Sequence, residues 1–452
     1  MLLFYIRGDE MSKNKENTGI NMSAKSFLTS ILVILVLMVL TYGLTFVIPG
    51  GGIPFWKWAL SPILVLGADG NVSLIAIIIF LLVIGGVFNC LDKCGLMQYM
   101  LDTITNRFAK EKYKLLVFVS LFFMSMGSFI GSFEEAVPLV PIVVALAIRL
   151  GWDALTGLGM SLLAIGCGFS TGVCNPFTVG VAQEIAGLPM FSGIWFRLIG
   201  FALVYAMLVG FLYLHAKKIE KPINTDALVR NFKKDEKMDK ALKCFIGIMC
   251  SGILLVLSSV FLTFLQDITM IIVAITFLAA GIISVIYTGR GGNIFRTFMN
   301  GVGTVFPAVF MILMANSIKY TMEEGNIINT ILQAMIATAE VLPDWTIILF
   351  IYFIVLVMNF FISSGSAKVF LLMPLILPIA ETFGISAQLC IVAFAFSDGF
   401  SDMLYPTNPI LLISLGLADV DYGTWFKWSW KFQGLNLLLT SGILLLGFAI
   451  GY

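Results

Sequence analysis

The sequence predicts an all-α polytopic membrane protein made of two inverted-topology repeats, each holding a re-entrant hairpin and a broken helix. Three observations predict it. The first is composition: 59% hydrophobic against 12% charged residues, with a mean hydropathy of +1.00, lies outside the soluble globular class. The second is an internal echo. Pro374 lies 233 positions after Pro141, and the same spacing links Gly151 to Gly384, Asn175 to Asn408, Pro176 to Pro409 and Trp195 to Trp428. The matched residues are helix breakers and polar groups. Irregular backbone survives in lipid only where it is buried in protein or lines a cavity, so these positions point at a binding site. The third is the placement of basic residues, which fixes the path of the chain.

Phe27–Ile48, Val72–Leu91 and Ile268–Thr288 are uncharged runs of the length a bilayer crossing needs. The first lacks a short apolar core with a small-residue cleavage site, so it reads as a retained helix, with Met11 and Met22 as alternative starts. Gly95–Phe108 is a mixed stretch followed by Lys110, Lys112 and Lys114, and reads as an amphipathic arm in the interface. Leu115–Ile130 and Val137–Ile148 flank a polar tip, Gly131–Ala136. Two full crossings or one re-entrant hairpin would both fit that pattern.

Charge decides between them. With a hairpin entering from the cytoplasm, the N-terminus, the arm, Arg149 and the loop Lys217–Lys243 with its nine basic residues share one side. Arg290, Arg296, Lys427 and Lys431 join them, and of 27 basic residues Lys57, Arg197, Lys319 and Lys368 fall elsewhere. The second arm carries Glu323, Glu324, Glu340 and Asp344 and faces outward, and its hairpin, Trp345–Phe383, enters from outside. The extra helix Leu242–Phe264 sets the repeats in opposite directions. The expectation is nine full crossings with the N-terminus cytoplasmic and the C-terminus external, in a bacterial inner membrane. The segments are 1–26 (cytoplasmic), 27–215 (first repeat), 216–243 (basic linker) and 244–452 (linking helix and second repeat).

Each hairpin is followed by a helix expected to break. Ala154–Phe169 leads into Ser170, Thr171, Gly172 and Asn175-Pro176; the second copy runs Ser397–Asp402 and then Tyr405–Pro409. Freed carbonyls and half-helix N-termini face inward there, suited to a cation and an anion respectively. The candidate substrate-binding residues are Ser132, Glu134, Glu135, Ser170, Thr171, Asn175, Ser364, Ser366, Lys368, Asp398, Asp402, Thr407 and Asn408. A Na+ ion is expected near Glu134, Asn175, Asp398 and Asn408, with H+ as the alternative coupling ion. A charge at bilayer depth costs several kcal/mol and normally marks a functional group with a partner. The bland alternatives are that the charges sit in solvated loops, or that Glu135 and Asp398 merely cap half-helices. Cys90 and Cys94 form a pair without a second pair or His cluster, so the seven Cys read as small apolar residues. Trp56, Trp58, Trp195, Trp425, Trp428 and Trp430 read as interface anchors, and His215 as interfacial.

The tip Ser132–Pro138, the break Asn175-Pro176-Phe177, the second tip Ser364-Gly365-Ser366, and Asp398-Gly399-Phe400 with Pro406-Thr407 resemble the YfcC-like branch of the C4-dicarboxylate anaerobic carrier family. The resemblance covers nearly the whole chain after Phe27 and places it within the ion transporter superfamily. It implies a secondary carrier with two hairpins, inverted repeats and an elevator movement, for dicarboxylates, short-chain acids or basic amino acids. The chain departs from the family pattern at Lys368, where Gln is common, at Asp402, where Asn is common, and at Asn408-Pro409, where Ser-Gly is common. Four carboxylates against one Lys give a formal −3 at the site, which favours a cationic or zwitterionic substrate exchanged by antiport or coupled to Na+ or H+. A C4-dicarboxylate or other short carboxylate is the alternative.

A passive channel would need a polar stripe along several helices, whereas here polar groups gather at two tips and two breaks. One His and no phosphate-binding Gly-rich loop argue against an enzyme. The expected partners are the small organic ion and the lipid bilayer, with a homodimer admissible and no nucleic acid.

Overall fold

The computed structural model describes residues 24–48, 51–68, 72–131, 133–221, 234–258, 269–290, 292–328, 330–331, 333, 338, 342–362 and 365–452. Those residues are almost entirely helical, and no strand occurs among them. Seven helical segments among them are long and apolar enough to cross a membrane: Leu74–Lys93, Lys112–Ile130, Ala154–Ile185, Ile194–Ile219, Ile271–Thr288, Ile294–Glu324 and Tyr422–Ala449. Shorter apolar helices, Trp345–Asn359 and Ala387–Gly399 among them, fill the spaces between.

Helices α1 (Ala24–Val47) and α2 (Val72–Lys93) open the chain. The arm α3 (Leu96–Phe108) buries Leu96, Met97, Met100 and Leu101 on one face, as its mixed composition predicts. The first hairpin rises through α4 (Lys112–Ser125), extended by a wide turn over Met126–Ile130. After a left-handed Gly131 it descends through Glu134–Leu139 into α5 (Val140–Arg149). Then comes α6, formed by Ala154–Leu158, Gly159–Leu163 and Ala164–Thr171 end to end. It stops at Gly172, whose φ of +41° suits glycine. The chain restarts as α7 (Pro176–Gly180 and Val181–Ile185) and crosses back in α8 (Ile194–Ile219).

The second half runs α9 (Glu236–Ser258), α10 (Thr269–Thr288), α11 (Ile294–Glu324), α12 (Asp344–Asn359), α13 (Gly365–Thr382), α14 (Ala387–Asp402), α15 (Pro409–Leu417) and α16 (Tyr422–Ala449). Helices α2 and α11 cross closely at small residues: a Cβ on Gly85 would lie 2.7 Å from Val305, and Asn89 donates to the Thr297 carbonyl at 2.6 Å. Helix α4 packs on α6 as α12 packs on α14, and α2 packs on α10 as α11 packs on α1. Helix α5 meets α15, and α13 meets α7.

Three expectations are corrected. Glu323 and Glu324 close the 31-residue α11 and are not part of a separate arm. Trp425 is no interface anchor; it is fully buried, and its Nε1 donates to the Met403 carbonyl at 2.8 Å. Ser397–Asp402 does not break: α14 runs through Asp402, and the interruption lies at 403–408. The reason is that Gly399 serves a close approach between helices, where a lack of side chain matters more than backbone freedom.

His215 is tied down more firmly than an interfacial residue needs to be. Its Nδ1 accepts from Trp428 Nε1 at 3.1 Å, which leaves Nε2 to donate to Asp153 at 3.1 Å. Asp153 caps α6 by accepting from the Thr156 N–H at 2.8 Å. Burial pushes the Asp153 carboxyl up, but hydrogen bonds from His215 and Thr156 outweigh it and hold the group below its ordinary value of 3.8. A depressed folded-state pKa gives stability that is present above 3.8 and lost as pH falls through the folded value. Melting temperature in detergent should therefore fall more steeply on acidification below 3.8 for the parent than for Asp153→Asn. Parallel curves would dismiss the contribution.

Candidate functional site

The two interrupted helices cross in the middle of the fold. Gly399 of α14 rests directly on the backbone of α6, where a Cβ would meet the Ser170 Cα and the Gly166 carbonyl oxygen, each at 2.7 Å. Met403, the first residue past α14, lies against Gly166. Helix α6 is pressed from its other side by the first hairpin, where Gly127 approaches the Phe169 backbone nitrogen. Small residues at 127, 166, 168 and 399 let three backbone segments come close together.

At this crossing the first break is closed by its own polar groups. Asn175 Oδ1 accepts from the N–H groups of Phe177 at 2.9 Å and Thr178 at 3.3 Å, capping α7. Ser128 at the end of α4 accepts the Val173 N–H at 3.1 Å and lies 3.2 Å from the Thr171 hydroxyl. The second break repeats the device. Asn408 Oδ1 accepts from the Ile410 N–H at 2.8 Å, and its Nδ2 donates to Asp402 at 2.8 Å.

Both tips meet these breaks. Gly131 of the first tip abuts the Asn175 side chain, and Phe133 faces Phe169 with ring centroids 6.0 Å apart. Gly365, which starts α13 at the second tip, is enclosed by three elements. A Cβ there would lie 2.9 Å from Asp398 Oδ2, 3.1 Å from Thr178 Cγ2 and 3.3 Å from Phe169 Cζ. Lys368, one turn on, forms a close ion pair with Asp398, and both side chains are fully buried. Pairing offsets part of the desolvation that a lone charge would suffer at this depth. Asn359 completes the ring by donating to the Ser397 carbonyl at 2.7 Å.

Of the residues singled out in the sequence, Asn175, Lys368, Asp398, Asp402 and Asn408 are brought into this centre. Ser170 and Thr171 line α6, where their hydroxyls donate to the Cys167 and Gly168 carbonyls at 2.9 Å. Thr407 is buried with a hydroxyl that finds no partner among the described residues. Ser132 and Ser364 lie outside the described residues, as do the side chains of Glu134, Glu135 and Ser366, whose backbones occupy the two tips.

Two features were not anticipated. Arg197, fully buried near the start of α8, donates from Nε to the Val173 carbonyl at 3.1 Å. Helix α16 buries Ser429, Gln433, Asn436 and Thr440 along one face, with the Thr440 hydroxyl 2.8 Å from that of Tyr352. The amides of Gln433 and Asn436 find no partner among the described residues. The signal was present in the sequence: polar residues at positions 429, 433, 436 and 440 share one face of an otherwise apolar helix.

A buried polar centre built from two tips and two helix interruptions, in a bundle of apolar helices, is the kind of arrangement a membrane carrier needs. The chain belongs to the C4-dicarboxylate anaerobic carrier family, whose profile matches residues 63–449, and it is a YfcC-like member. It is a transporter-family membrane protein and not an enzyme. It is 28% identical over 400 residues to YfcC of Escherichia coli (strain K12), by its name a candidate basic amino acid antiporter, covering 84% of this chain and 78% of that one. It is 24% identical over 393 residues to an uncharacterized Haemophilus influenzae protein, covering 83% and 76%. Among solved structures it is similar to the Alcanivorax borkumensis YdaH transporter, with a TM-score of 0.45 and 16% identity over 94% of this chain and 99% of that one. The Neisseria gonorrhoeae MtrF structure, described as illuminating a class of antimetabolite efflux pumps, gives 0.43 and 13% over 98% and 97%.

Proposed function

We propose that this chain is an elevator-type secondary transporter that exchanges small organic cations or zwitterions, basic amino acids first among them. The observation that carries the reading is the state of Lys368. Its charge is already neutralised by Asp398, and the sequence of the tips and breaks adds three further carboxylates, Glu134, Glu135 and Asp402, an acidic composition. An acidic centre favours an ammonium or guanidinium group on the substrate. The name of the Escherichia coli relative points the same way. The family's own description keeps a C4-dicarboxylate as the second reading, favoured by the capped N-termini of α7 and α15 that flank the site.

Inverted repeats are part of the proposal. The packing is reciprocal: α4 on α6 matches α12 on α14, α5 on α15 matches α13 on α7, and α8 packs on α16. A pseudo-twofold exchanging the halves would generate each contact from its counterpart, and exchanging their conformations interconverts the inward-open and outward-open states. The nine Lys and Arg between Lys217 and Lys243 support a cytoplasmic side for this linker. A Cys introduced at Asn231 on a Cys-free background should resist an impermeant reagent applied to intact cells. Labelling from outside would overturn the orientation.

The substrate test is counterflow in proteoliposomes loaded with unlabelled arginine, lysine or ornithine. Labelled arginine should accumulate transiently and saturably. Glu134→Gln and Glu135→Gln should express normally, and at least one should lose about tenfold or more in rate, as removal of a charged partner does. Saturable counterflow of a dicarboxylate with none of any basic amino acid would replace the first reading by the second. Normal transport by both single variants and by the double variant would remove the first tip from the site.

A further inference from the structure

One buried cation of the protein itself lies at the first interruption and another lies about one turn before the second. At the first, the Val173 carbonyl, freed from helical pairing by the stop at Thr171, accepts from Arg197 Nε at 3.1 Å. The guanidinium is fully buried, its Nη1 reaches Gln388 Oε1 at 3.5 Å, and Arg197 makes no ion pair with a carboxylate of the described residues. Before the second, Lys368 pairs with Asp398 on α14, both fully buried. The two residues come from unrelated places in the repeats. Lys368 lies on a hairpin tip and Arg197 on the returning helix, and position 135, the repeat equivalent of Lys368, holds Glu. Different solutions therefore supply a positive charge at the first break and on the helix that leads into the second.

We infer that Arg197 and Lys368 are built-in counter-cations, filling the two positions where a carrier with broken helices would bind a coupling ion, so that transport runs as exchange without sodium. The inference rests on the transport reading above. The C-terminal end of a half-helix carries partial negative charge, and its loosened carbonyls are the usual place for a coupling cation. The Arg197 guanidinium satisfies one such oxygen, the Val173 carbonyl, and the Lys368 ammonium occupies the Asp398 carboxylate on the helix leading into the second interruption. A tethered cation differs in one respect that matters: it cannot leave. A mobile ion drives transport because it binds on one side and departs on the other, adding its gradient to the cycle. A fixed charge makes the same contribution in every orientation, so it cannot bias the two states through its concentration. What remains to drive reorientation is substrate itself, carried in one direction and then the other.

The test separates this role from a merely structural ion pair by asking for rescue by a specific ion. The full chain, purified in detergent, is melted in NaCl and in N-methylglucamine chloride at equal ionic strength. The parent should melt at the same temperature in both. Lys368→Gln, which exposes the Asp398 carboxylate to the vacated space, should melt lower in N-methylglucamine and be raised by Na+. Lys368→Gln with Asp398→Asn should lose that response, because the ligand is gone. Arg197→Gln should gain a Na+ response, and Arg197→Lys, which keeps the charge, should not. In counterflow, the parent rate should be equal in the two salts. Lys368→Gln should be slowed about tenfold or more without Na+, as expected when one member of a buried pair is removed, and should recover with it. A parent whose melting temperature or counterflow rate rises steeply with Na+ overturns the inference, and this measurement stands even where a variant fails to accumulate. Variants that respond to Na+ no more than the parent does overturn it as well. Because melting needs no substrate, that failure is distinct from failure of the transport reading, which would show as no counterflow in either salt.

Discussion

Asp398→Asn should destabilise the folded protein by about 3–5 kcal/mol and abolish counterflow, the largest effect expected of any single polar substitution in this chain. Asp398 and Lys368 are both fully buried, so neutralising the carboxylate leaves an ammonium in low dielectric with its partner removed. The size of the effect comes from that orphaned charge more than from the loss of the pair. Adding Lys368→Gln to Asp398→Asn should therefore recover most of the stability, since removing both members of a buried pair is often close to neutral. Counterflow should stay impaired in the double variant, because the centre has lost two groups that its shape was built around. Asp402→Asn provides the contrast. Asp402 accepts an uncharged amide N–H from Asn408 at 2.8 Å, and Asn at 402 can still accept it, so a cost of about 1 kcal/mol is expected. Thermal melting in detergent ranks the three, and equal melting of Asp398→Asn and Asp402→Asn would show that the ion pair contributes nothing special.

How much of this was legible in the sequence depended on whether the signal was a breaker or a neighbour. The first break was legible because Gly172 and Asn175-Pro176 act on their own backbone: the glycine takes a positive φ, and the Asn caps the next helix. The same holds for Asn408-Pro409. Lys368 and Asp398 were legible as site residues because charges in apolar helices need partners, but which carboxylate Lys368 meets was not. The stretch Ser397–Asp402 was assigned to the second break because a glycine's effect on its own helix can be read locally, whereas the backbone of Ser170 pressed against Gly399 cannot. Trp425 was misread for a similar reason. Aromatic residues near helix ends usually mark the interface, but this one faces Met403, and no local pattern encodes that. Arg197 was set aside as a residue off the basic side, and its role becomes visible only once α8 is seen to run past the Val173 carbonyl.

The crossing at Gly399 carries the second large effect. Gly399→Val should prevent α14 from seating on α6, with a cost at or above the upper end of the about 1–3 kcal/mol typical of overpacking. Overpacking is relieved when the opposing atom is the far end of a flexible side chain. Here the opposing atoms are backbone, namely the Ser170 Cα and the Gly166 carbonyl oxygen, each 2.7 Å from where the first added carbon would sit. Relief would require the two interrupted helices to separate along their contact, pulling Asp398 away from Gly365 and the second tip. The loss should then appear in transport even in whatever fraction remains folded. Gly434→Ala supplies the control. Gly434 is an exposed glycine within α16 with nothing within 4 Å of an added Cβ, so alanine there should stabilise by up to about 1 kcal/mol through helix propensity. The two glycines thus predict opposite signs in the same melting experiment. A Gly399→Val protein that melts with the parent would mean that the two broken helices do not meet at this residue, and the site built on their crossing would have to be drawn elsewhere.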